Sequence, residues 1–354
     1  MRSILTFFIL LCISLFSCDT ENESGSNDSD SSNESPRIIK QSKLILPAKN
    51  AEFILGEVIK FQVKSKTAVD SVVVIQDDLS KTYVTNEFQW TSLTKKVGKQ
   101  KIRVSVFIGD KKETHYPKFT ILSDIVPVEY SYKVVNTYPH NPESFTQGLF
   151  FHQDTLFEST GQNSESNLLK INLLTGEPYQ AEALNRKYFG EGSTVWNNQI
   201  FYLTYTTQIG FRYDLGFNLI DEFRYPHQGW GITTMGDTLL VSDGSNIIRL
   251  IDPRDFSELS QLQVFDNERS YKELNELEYF NGKLFANVWF KDIILVIDPI
   301  SGKVIEKVDL SGILPSHNGS EDVLNGIAYN PLTNSLFVTG KLWPTLFEIE
   351  LIKK

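Results

Sequence analysis

The chain has 354 residues, of which 41% are hydrophobic, and a formal net charge of −10 at pH 7. This length suits two domains better than one small core, and the acidic balance excludes nucleic acid as a partner because phosphate binding needs basic patches. The two cysteines, Cys12 and Cys18, both lie near the N-terminus. The rest of the chain therefore has no disulfide, no thiol nucleophile and no cysteine metal ligand.

The N-terminal residues have the features of a bacterial export signal. Arg2 precedes an apolar run from Ile4 to Phe16 that is short for a membrane span. Residues 15–18 read Leu-Phe-Ser-Cys and resemble a lipoprotein box, which implies a signal peptide over 1–17 and lipidation of Cys18. An ordinary signal peptide with an incidental cysteine is the alternative. We expect an exported protein that is lipid-anchored to a bacterial membrane, on the periplasmic side or at the cell surface.

Residues 18–35 are rich in Ser, Asn, Asp and Glu and predict a disordered acidic tether, because they cannot bury enough apolar surface to fold. Residues 36–124 then show short alternating stretches at 58–63, 71–75 and 101–107, separated in part by turn signals. Several short strands in so few residues indicate an immunoglobulin-like β-sandwich without the cysteine pair. No catalytic constellation is present there, so we expect a spacer or docking module.

Residues 129–354 contain a short motif that recurs five times. Its second residue falls at 147, 191, 230, 275 and 325, and an apolar strand opener follows each copy about ten residues later. Repeats of 40–50 residues with three or four short strands are typical of β-propeller blades, so the pattern predicts an all-β, five-bladed propeller. The last repeat stops at its third strand, and residues 132–136 are expected to supply the missing strand and close the ring.

A propeller brings equivalent residues of its blades together at one end of the axis. The first predicted ring consists of Gln147, Glu191, Trp230, Asn275 and Asn325, and the second of Gly161, Tyr205, Gly244, Trp289 and Lys341. A carboxylate, a cation, amides and aromatic residues in one place predict a small-molecule or peptide-end site. The alternative is that the aromatic residues plug the channel while the polar groups bind water.

The repeats carry an ordered series of motifs that resembles one known family. The motifs include Phe145-Thr146-Gln147-Gly148-Leu149, Phe189-Gly190-Glu191-Gly192, Gly229-Trp230-Gly231, Leu274-Asn275-Glu276-Leu277-Glu278-Tyr279, Ala286-Asn287-Val288-Trp289, Asp322-Val323-Leu324-Asn325-Gly326-Ile327 and Val338-Thr339-Gly340-Lys341-Leu342-Trp343-Pro344. They resemble the plant-type and bacterial glutaminyl-peptide cyclotransferases over about residues 138–350. That family is a five-bladed propeller that converts N-terminal glutamine of peptides to pyroglutamate with release of ammonia.

The resemblance implies a role for each matching residue. Glu191 corresponds to the proton-shuttling carboxylate, while Lys341, Asn275 and Gln147 correspond to groups that hold or polarise the substrate. Trp230 and Trp289 correspond to pocket walls, and Asn325 is expected to contact the substrate with them. The family usually has tryptophan where this chain has Tyr205, so altered substrate preference is expected there.

The resemblance also sets expectations for partners and cofactors. The expected partners are peptides or proteins with N-terminal glutamine, acted on by a monomer. No cofactor or metal is expected, since the five histidines have no metal-ligand spacing. Two alternatives stay open from the residues: a non-catalytic propeller lipoprotein that binds peptide ends or glycans, and a purely structural scaffold in which mutation of Glu191, Trp289 and Lys341 changes nothing.

Overall fold

The computed structural model describes residues 40–315 and 319–354. The predicted signal peptide, the lipidation site at Cys18, the acidic tether and His317 lie outside the described residues. Within those ranges every regular element is a β-strand, so the described chain is all-β, as the sequence predicted. None of its described residues form a helix of the length and apolarity that a membrane span requires.

The first part of the described chain forms three small sheets. Their strands are β1 (Ser42–Leu46), β2 (Glu52–Ile54), β3 (Ile59–Ser65), β4 (Ser71–Gln76), β5 (Leu79–Tyr83), β6 (Glu87–Trp90), β7 (Gly98–Lys99), β8 (Ile102–Ile108), β9 (Lys111–His115) and β10 (Thr120–Leu122). The hydrogen-bonded orders are β1-β3-β6, β5-β4-β8-β9 and β2-β10-β7.

Burial alternates along β3 and β4, so each strand turns one apolar face inward. Phe61 and Trp90 from one sheet pack in the same buried cluster as Val72 and Val104 from another. Two sheets therefore share one core. The three stretches that the sequence singled out correspond to β3, β4 and β8.

The rest of the chain forms sets of four antiparallel strands. The strands are β11 (Val128–Pro139), β12 (Thr146–His152), β13 (Thr155–Thr160), β14 (Asn167–Ile171), β15 (Pro178–Ala183), β16 (Gly190–Trp196), β17 (Gln199–Thr204), β18 (Ile209–Asp214), β19 (Leu219–Arg224), β20 (Ile232–Met235), β21 (Thr238–Ser242), β22 (Ile247–Ile251), β23 (Glu258–Gln263), β24 (Leu274–Phe280), β25 (Lys283–Val288), β26 (Ile293–Ile297), β27 (Val304–Asp309), β28 (Leu324–Asn330), β29 (Ser335–Gly340) and β30 (Thr345–Lys353). Three separate sheets run β12 to β15, β16 to β19 and β20 to β23, and an eight-stranded sheet has the order β24-β25-β26-β27-β11-β30-β29-β28.

Burial decreases from the first strand to the fourth in these sets. The strands β12, β16 and β24 each begin with five buried residues in succession, whereas β15 and β19 are largely exposed. The first strands contact one another in a closed cycle, from β12 through β16, β20, β24 and β28 back to β12. Sheets arranged radially around their first strands give a propeller-like fold.

The eight-stranded sheet closes the ring. Strand β11 pairs antiparallel with β30, with Tyr132 opposite Leu351, and pairs parallel with β27 at its start. Residues 132–136 therefore supply the outer strand of the last repeat, as the sequence predicted. This pairing covers an edge that would otherwise expose free backbone hydrogen-bonding groups.

Several contacts join the first part of the chain to the propeller-like part. The Ser123 amide donates to the Asp266 carbonyl at 3.0 Å, and Lys303 Nζ lies 2.6 Å from Asp124 Oδ1. Phe265 packs with two apolar residues of the first part in a small buried cluster. Residues Gln41–Lys354 form one compact unit.

Candidate active site

A cavity of about 230 Å³ lies where the first strands begin and the second strands end. Its lining comprises Phe145, Gln147, Phe189, Glu191, Tyr205, Trp230, Asn275, Trp289, Asp322 and Lys341. The fold thus brings together seven of the eight propeller residues that the sequence proposed for the site. The eighth, Asn325, does not line the cavity.

Four of the predicted residues sit on irregularities of the inner strands. The register between β12 and β13 shifts across Gln147. Equivalent shifts span Glu191 in β16, Asn275 in β24 and Asn325 in β28. A bulge of this kind bends a strand and re-aims a side chain, and bulges are frequent next to active sites. Four of the five copies of the repeated motif therefore lie at a bulge.

A recurring backbone hydrogen bond fixes the loops that follow the second strands. The amides of Gly161, Tyr205, Trp289 and Lys341 donate to the carbonyls of Phe145, Phe189, Glu273 and Val323, respectively, at 2.8 to 3.0 Å. Each acceptor precedes a bulge residue by two positions. The second predicted ring is thereby held at the same end of the axis as the first.

Glycine flanks Glu191 on both sides because neighbouring backbone segments approach these positions too closely for a side chain. A Cβ atom on Gly192 would lie 2.6 Å from the Trp230 carbonyl oxygen, and the Gly192 amide donates to that same oxygen at 2.7 Å. A Cβ atom on Gly190 would lie 2.7 Å from the Thr160 carbonyl oxygen. The glycines are therefore needed for inner-strand packing around the carboxylate.

The two opposite charges of the site are both buried. Glu191 is 5% exposed and Lys341 is 4% exposed. Burial raises the pKa of Glu191 well above its usual range, and the charge of Lys341 opposes this shift. Burial likewise lowers the pKa of Lys341, against the opposing charges of Glu191 and Asp322. Lys341 Nζ also lies 4.6 Å from the centre of the Phe145 ring, within cation–π range.

Asn325 lies one layer behind the cavity, where it supports Gln147. Its Nδ2 donates to the Thr146 carbonyl at 2.9 Å and contacts Gln147 Oε1 at 3.4 Å. Asn325 is fully buried. Asn325 does not line the cavity, so direct contact of Asn325 with the substrate stays a prediction from the sequence. Asn275, in contrast, lines the cavity, and its Oδ1 has no hydrogen-bond partner among residues 40–315 and 319–354.

The aromatic lining forms a continuous wall. The ring centres of Phe189 and Tyr205 are 5.9 Å apart, those of Tyr205 and Trp230 are 6.3 Å apart, and those of Trp230 and Trp289 are 5.5 Å apart and perpendicular. Phe145 extends the wall beyond Phe189 at 6.2 Å. Such contacts fix the rings as a continuous aromatic lining along one side of the cavity.

Sequence reasoning missed three lining residues: Phe145, Phe189 and Asp322. Phe145 and Phe189 precede Gln147 and Glu191 by two positions, so the same repeat could have indicated them. Asp322 belongs to the segment before β28, where the repeat gave no such signal, although Asp322 is the first residue of one of the family motifs. Among residues 40–315 and 319–354, no group of three or more histidine, cysteine, aspartate or glutamate residues is arranged to hold a metal ion.

The fold and the cavity define this chain as a propeller-like protein with a small, aromatic-walled site. The site contains a buried carboxyl group and a buried amine. Comparison with known proteins then gives the family. The family model described as glutamine cyclotransferase matches residues 112–351, and the chain belongs to that family. It is 41% identical over 226 residues to an Arabidopsis thaliana protein named glutaminyl-peptide cyclotransferase, an alignment that covers 62% of this chain and 71% of the relative. The crystal structure of Myxococcus xanthus glutaminyl cyclase matches with a TM-score of 0.61 at 33% identity, covering 65% of this chain and 100% of the other.

Proposed function

We propose that this protein is a glutaminyl-peptide cyclotransferase, which converts N-terminal glutamine of peptides or proteins to pyroglutamate and releases ammonia. The observation that carries the proposal is the burial of Glu191 and Lys341 against one cavity with amide groups and aromatic walls. A cavity of about 230 Å³ has room for one terminal residue and not for a folded partner. Family membership and the names of the two relatives support the same activity.

The reaction uses a nucleophile that the substrate itself supplies. The α-amine attacks the γ-amide carbon, a carbon–nitrogen bond forms, and the five-membered ring closes. One proton leaves the attacking nitrogen, one proton joins the amide nitrogen, and the carbon–nitrogen bond to that group breaks to release ammonia. Holding the amine against the carbon removes much of the entropic barrier, which is the contribution expected of the cavity walls.

Glu191 is the group that moves the proton between the two nitrogens. Burial raises the pKa of Glu191 well above its usual range, in the direction of the higher pKa of an amine. A carboxyl group with an increased affinity for protons can accept a proton from one nitrogen and return it to the other with a smaller penalty than an ordinary carboxyl group. One carboxyl group can therefore serve both steps in sequence.

Lys341 and Asn275 stabilise the charge that develops on the γ-carbonyl oxygen. Both side chains line the cavity, and Lys341 provides a buried ammonium while Asn275 provides an amide donor. Preorganised donors in a cavity shielded from water act more strongly on such charge than solvent does. Gln147, fixed from behind by Asn325, holds the substrate amide, while Tyr205, Trp230 and Trp289 hold the aliphatic stem.

The experiment that tests the function is ammonia release from a glutamine-initiated peptide. Protein of residues 19–354 should release one ammonia per pyroglutamate formed, and Glu191→Gln should reduce kcat by about 10²- to 10⁴-fold, the usual contribution of a general acid–base group. Glu222→Gln is the matched control, because Glu222 lies exposed on the outer strand β19. A folded wild-type protein that is inert on all such peptides would refute the proposed function.

We also infer that the propeller-like part is a five-bladed propeller of residues 129–354 and that residues 36–124 are an immunoglobulin-like sandwich. The closed cycle of first strands supports the blade number, and the two sheets around one core support the sandwich.

Export and lipid anchoring through Cys18 complete the proposal and rest on the sequence of residues 1–35. Loss of membrane association in Cys18→Ala would support the anchor, and unchanged association would refute it.

A further inference from the structure

In the proposed reaction, the N-terminus of the substrate carries a charge when it reaches the entrance of the cavity. At neutral pH a peptide α-amine is largely an ammonium ion, since its ordinary pKa is about 8. The cavity already contains the Lys341 cation, which repels a second cation. The charge of Lys341 already acts on the Glu191 carboxyl group and offsets the attraction of that group for a second cation. Neither buried charge of the site is therefore suited to attract the incoming ammonium.

Asp322 is a further acidic residue in the lining of the cavity. It is half-buried rather than fully buried, so water can still stabilise its charge. Its electrostatic effect opposes the lowering of the Lys341 pKa. The negative charge of Asp322 therefore acts inside the cavity.

The backbone holds Asp322 firmly in place. Its amide donates to the Lys341 carbonyl at 2.9 Å, and its own carbonyl accepts a hydrogen bond from Trp343 Nε1 at 2.8 Å. Carboxylate Oδ1 accepts the Val323 amide at 2.7 Å. Among the residues that the structure describes, Oδ2 accepts no hydrogen bond and Asp322 enters no ion pair. A fixed carboxylate with one oxygen available is suited to binding a cationic group.

We propose that Asp322 binds the α-ammonium group of the substrate and thereby selects peptides with a free N-terminus. This inference rests on the proposed function, because it assigns the recognition of the same terminal residue. Asp322 holds the ammonium at the half-buried side of the cavity until a proton passes to the buried carboxyl group. The aromatic wall could attract a cation as well, and the experiment separates the two possibilities.

The test is a double-mutant cycle between the carboxylate and the ligand charge. Two unreactive peptides are compared by calorimetry at pH 7: one begins with norvaline, which keeps the ammonium and lacks the γ-amide, and the other begins with 2-hydroxypentanoate, its uncharged counterpart. Wild-type protein should bind the norvaline peptide about 10- to 100-fold more tightly, the range for a hydrogen bond to a charged group. Asp322→Asn keeps the acceptor for the Val323 amide and should reduce that ratio to about 1.

The control is Asp237→Asn, which removes the same charge from an exposed turn between β20 and β21 and should preserve the wild-type ratio. Because each protein is compared with itself, a general loss of stability in Asp322→Asn cancels from the ratio. An unchanged ratio in Asp322→Asn, or no preference for the norvaline peptide in the wild type, would overturn the inference. Ammonia release by the wild type is measured separately, so failure of the proposed activity is distinguished from failure of the role of Asp322.

Discussion

Gly161→Ala tests whether the absence of a side chain at Gly161 determines the shape of the cavity. Gly161 does not have a positive φ, so alanine is compatible with its backbone. A Cβ atom there would lie 2.7 Å from Phe189 Cε1 and 2.9 Å from Gln147 Cγ. Ordinary contact begins at 3.4 Å, so Phe189 must move by about 0.7 Å and Gln147 by about 0.5 Å. Both residues line the cavity, so the displaced atoms alter the bound position of the substrate.

The expected loss follows from the size of this displacement. A misplacement of about 1 Å can cost about 10²-fold in rate, so shifts of about 0.5 to 0.7 Å should reduce kcat/KM for a glutamine-initiated peptide by about 10- to 50-fold. This corresponds to about 1.4 to 2.3 kcal/mol of transition-state stabilisation. The assay is steady-state ammonia release, with the thermal unfolding midpoint measured in parallel.

Gly216→Ala is the matched control for this substitution. A Cβ atom there meets side-chain atoms at 3.2 Å, and the residue lies in the turn before β19, away from the cavity lining. It should leave kcat/KM within about twofold of wild type. If Gly161→Ala is folded and equally unaffected, the argument that absent side chains set the cavity shape is wrong.

Three further predictions concern pH, stability and the aromatic wall. Burial raises the pKa of Glu278 from 4.5 to about 8, so the folded state retains a proton that the unfolded state loses, and the free energy of unfolding should fall between pH 4.5 and 8. In Glu278→Gln this fall should be shallower and stability at pH 9 higher. Asp266 is 1% exposed and binds Lys307 at 3.0 Å, so Asp266→Ala should lower the free energy of unfolding by about 3 to 5 kcal/mol. Tyr205→Phe should keep kcat/KM within about threefold, whereas Tyr205→Ala should raise KM at least about tenfold through loss of apolar contact.

Each of these predictions has a direct comparison. Glu222→Gln, on the outer strand, should leave the pH dependence of stability unchanged. Lys133 pairs with Glu350 at a site where both side chains are more than half exposed, 65% and 58%, so Lys133→Ala should cost less than about 1 kcal/mol. Equal effects of Lys133→Ala and Asp266→Ala would contradict the role of burial. A large loss in Tyr205→Phe would show that the hydroxyl group, and not the ring, is used.

The repeat made the fold and most of the site predictable. Equivalent positions in a radial fold converge, so spacing alone brought Gln147, Glu191, Asn275 and Lys341 to one end of the axis. The closing strand was predictable for the same reason, since a repeat that lacks its fourth strand must obtain one elsewhere. These inferences needed the period of the pattern and no knowledge of individual contacts.

The remaining features depend on contacts between residues far apart in the chain. Glu276 is 2% exposed, and its carboxylate accepts the Ile327 amide at 2.9 Å and the Leu149 amide at 3.4 Å, across separations of 51 and 127 residues. No local pattern distinguishes such a carboxylate from a solvated one. Asn325 does not line the cavity, although its register position is equivalent to that of Gln147, and its side chain donates a hydrogen bond to the neighbouring strand. The close approach of a neighbouring backbone segment, as at Gly192, likewise cannot be predicted from sequence without knowing which strand lies beside it.

The pairing of β11 with β30 has a consequence for how the protein is made. The two strands pair at nine positions, and the residues that they join, such as Lys133 and Glu350, are 217 positions apart in the chain. During synthesis β11 emerges early and must wait for nearly the whole remaining chain before its antiparallel partner exists. Contacts of such long range make folding slow, and unpaired edges in the meantime favour aggregation. Premature termination before β30 is therefore expected to yield a chain that fails to assemble, instead of a smaller working ring.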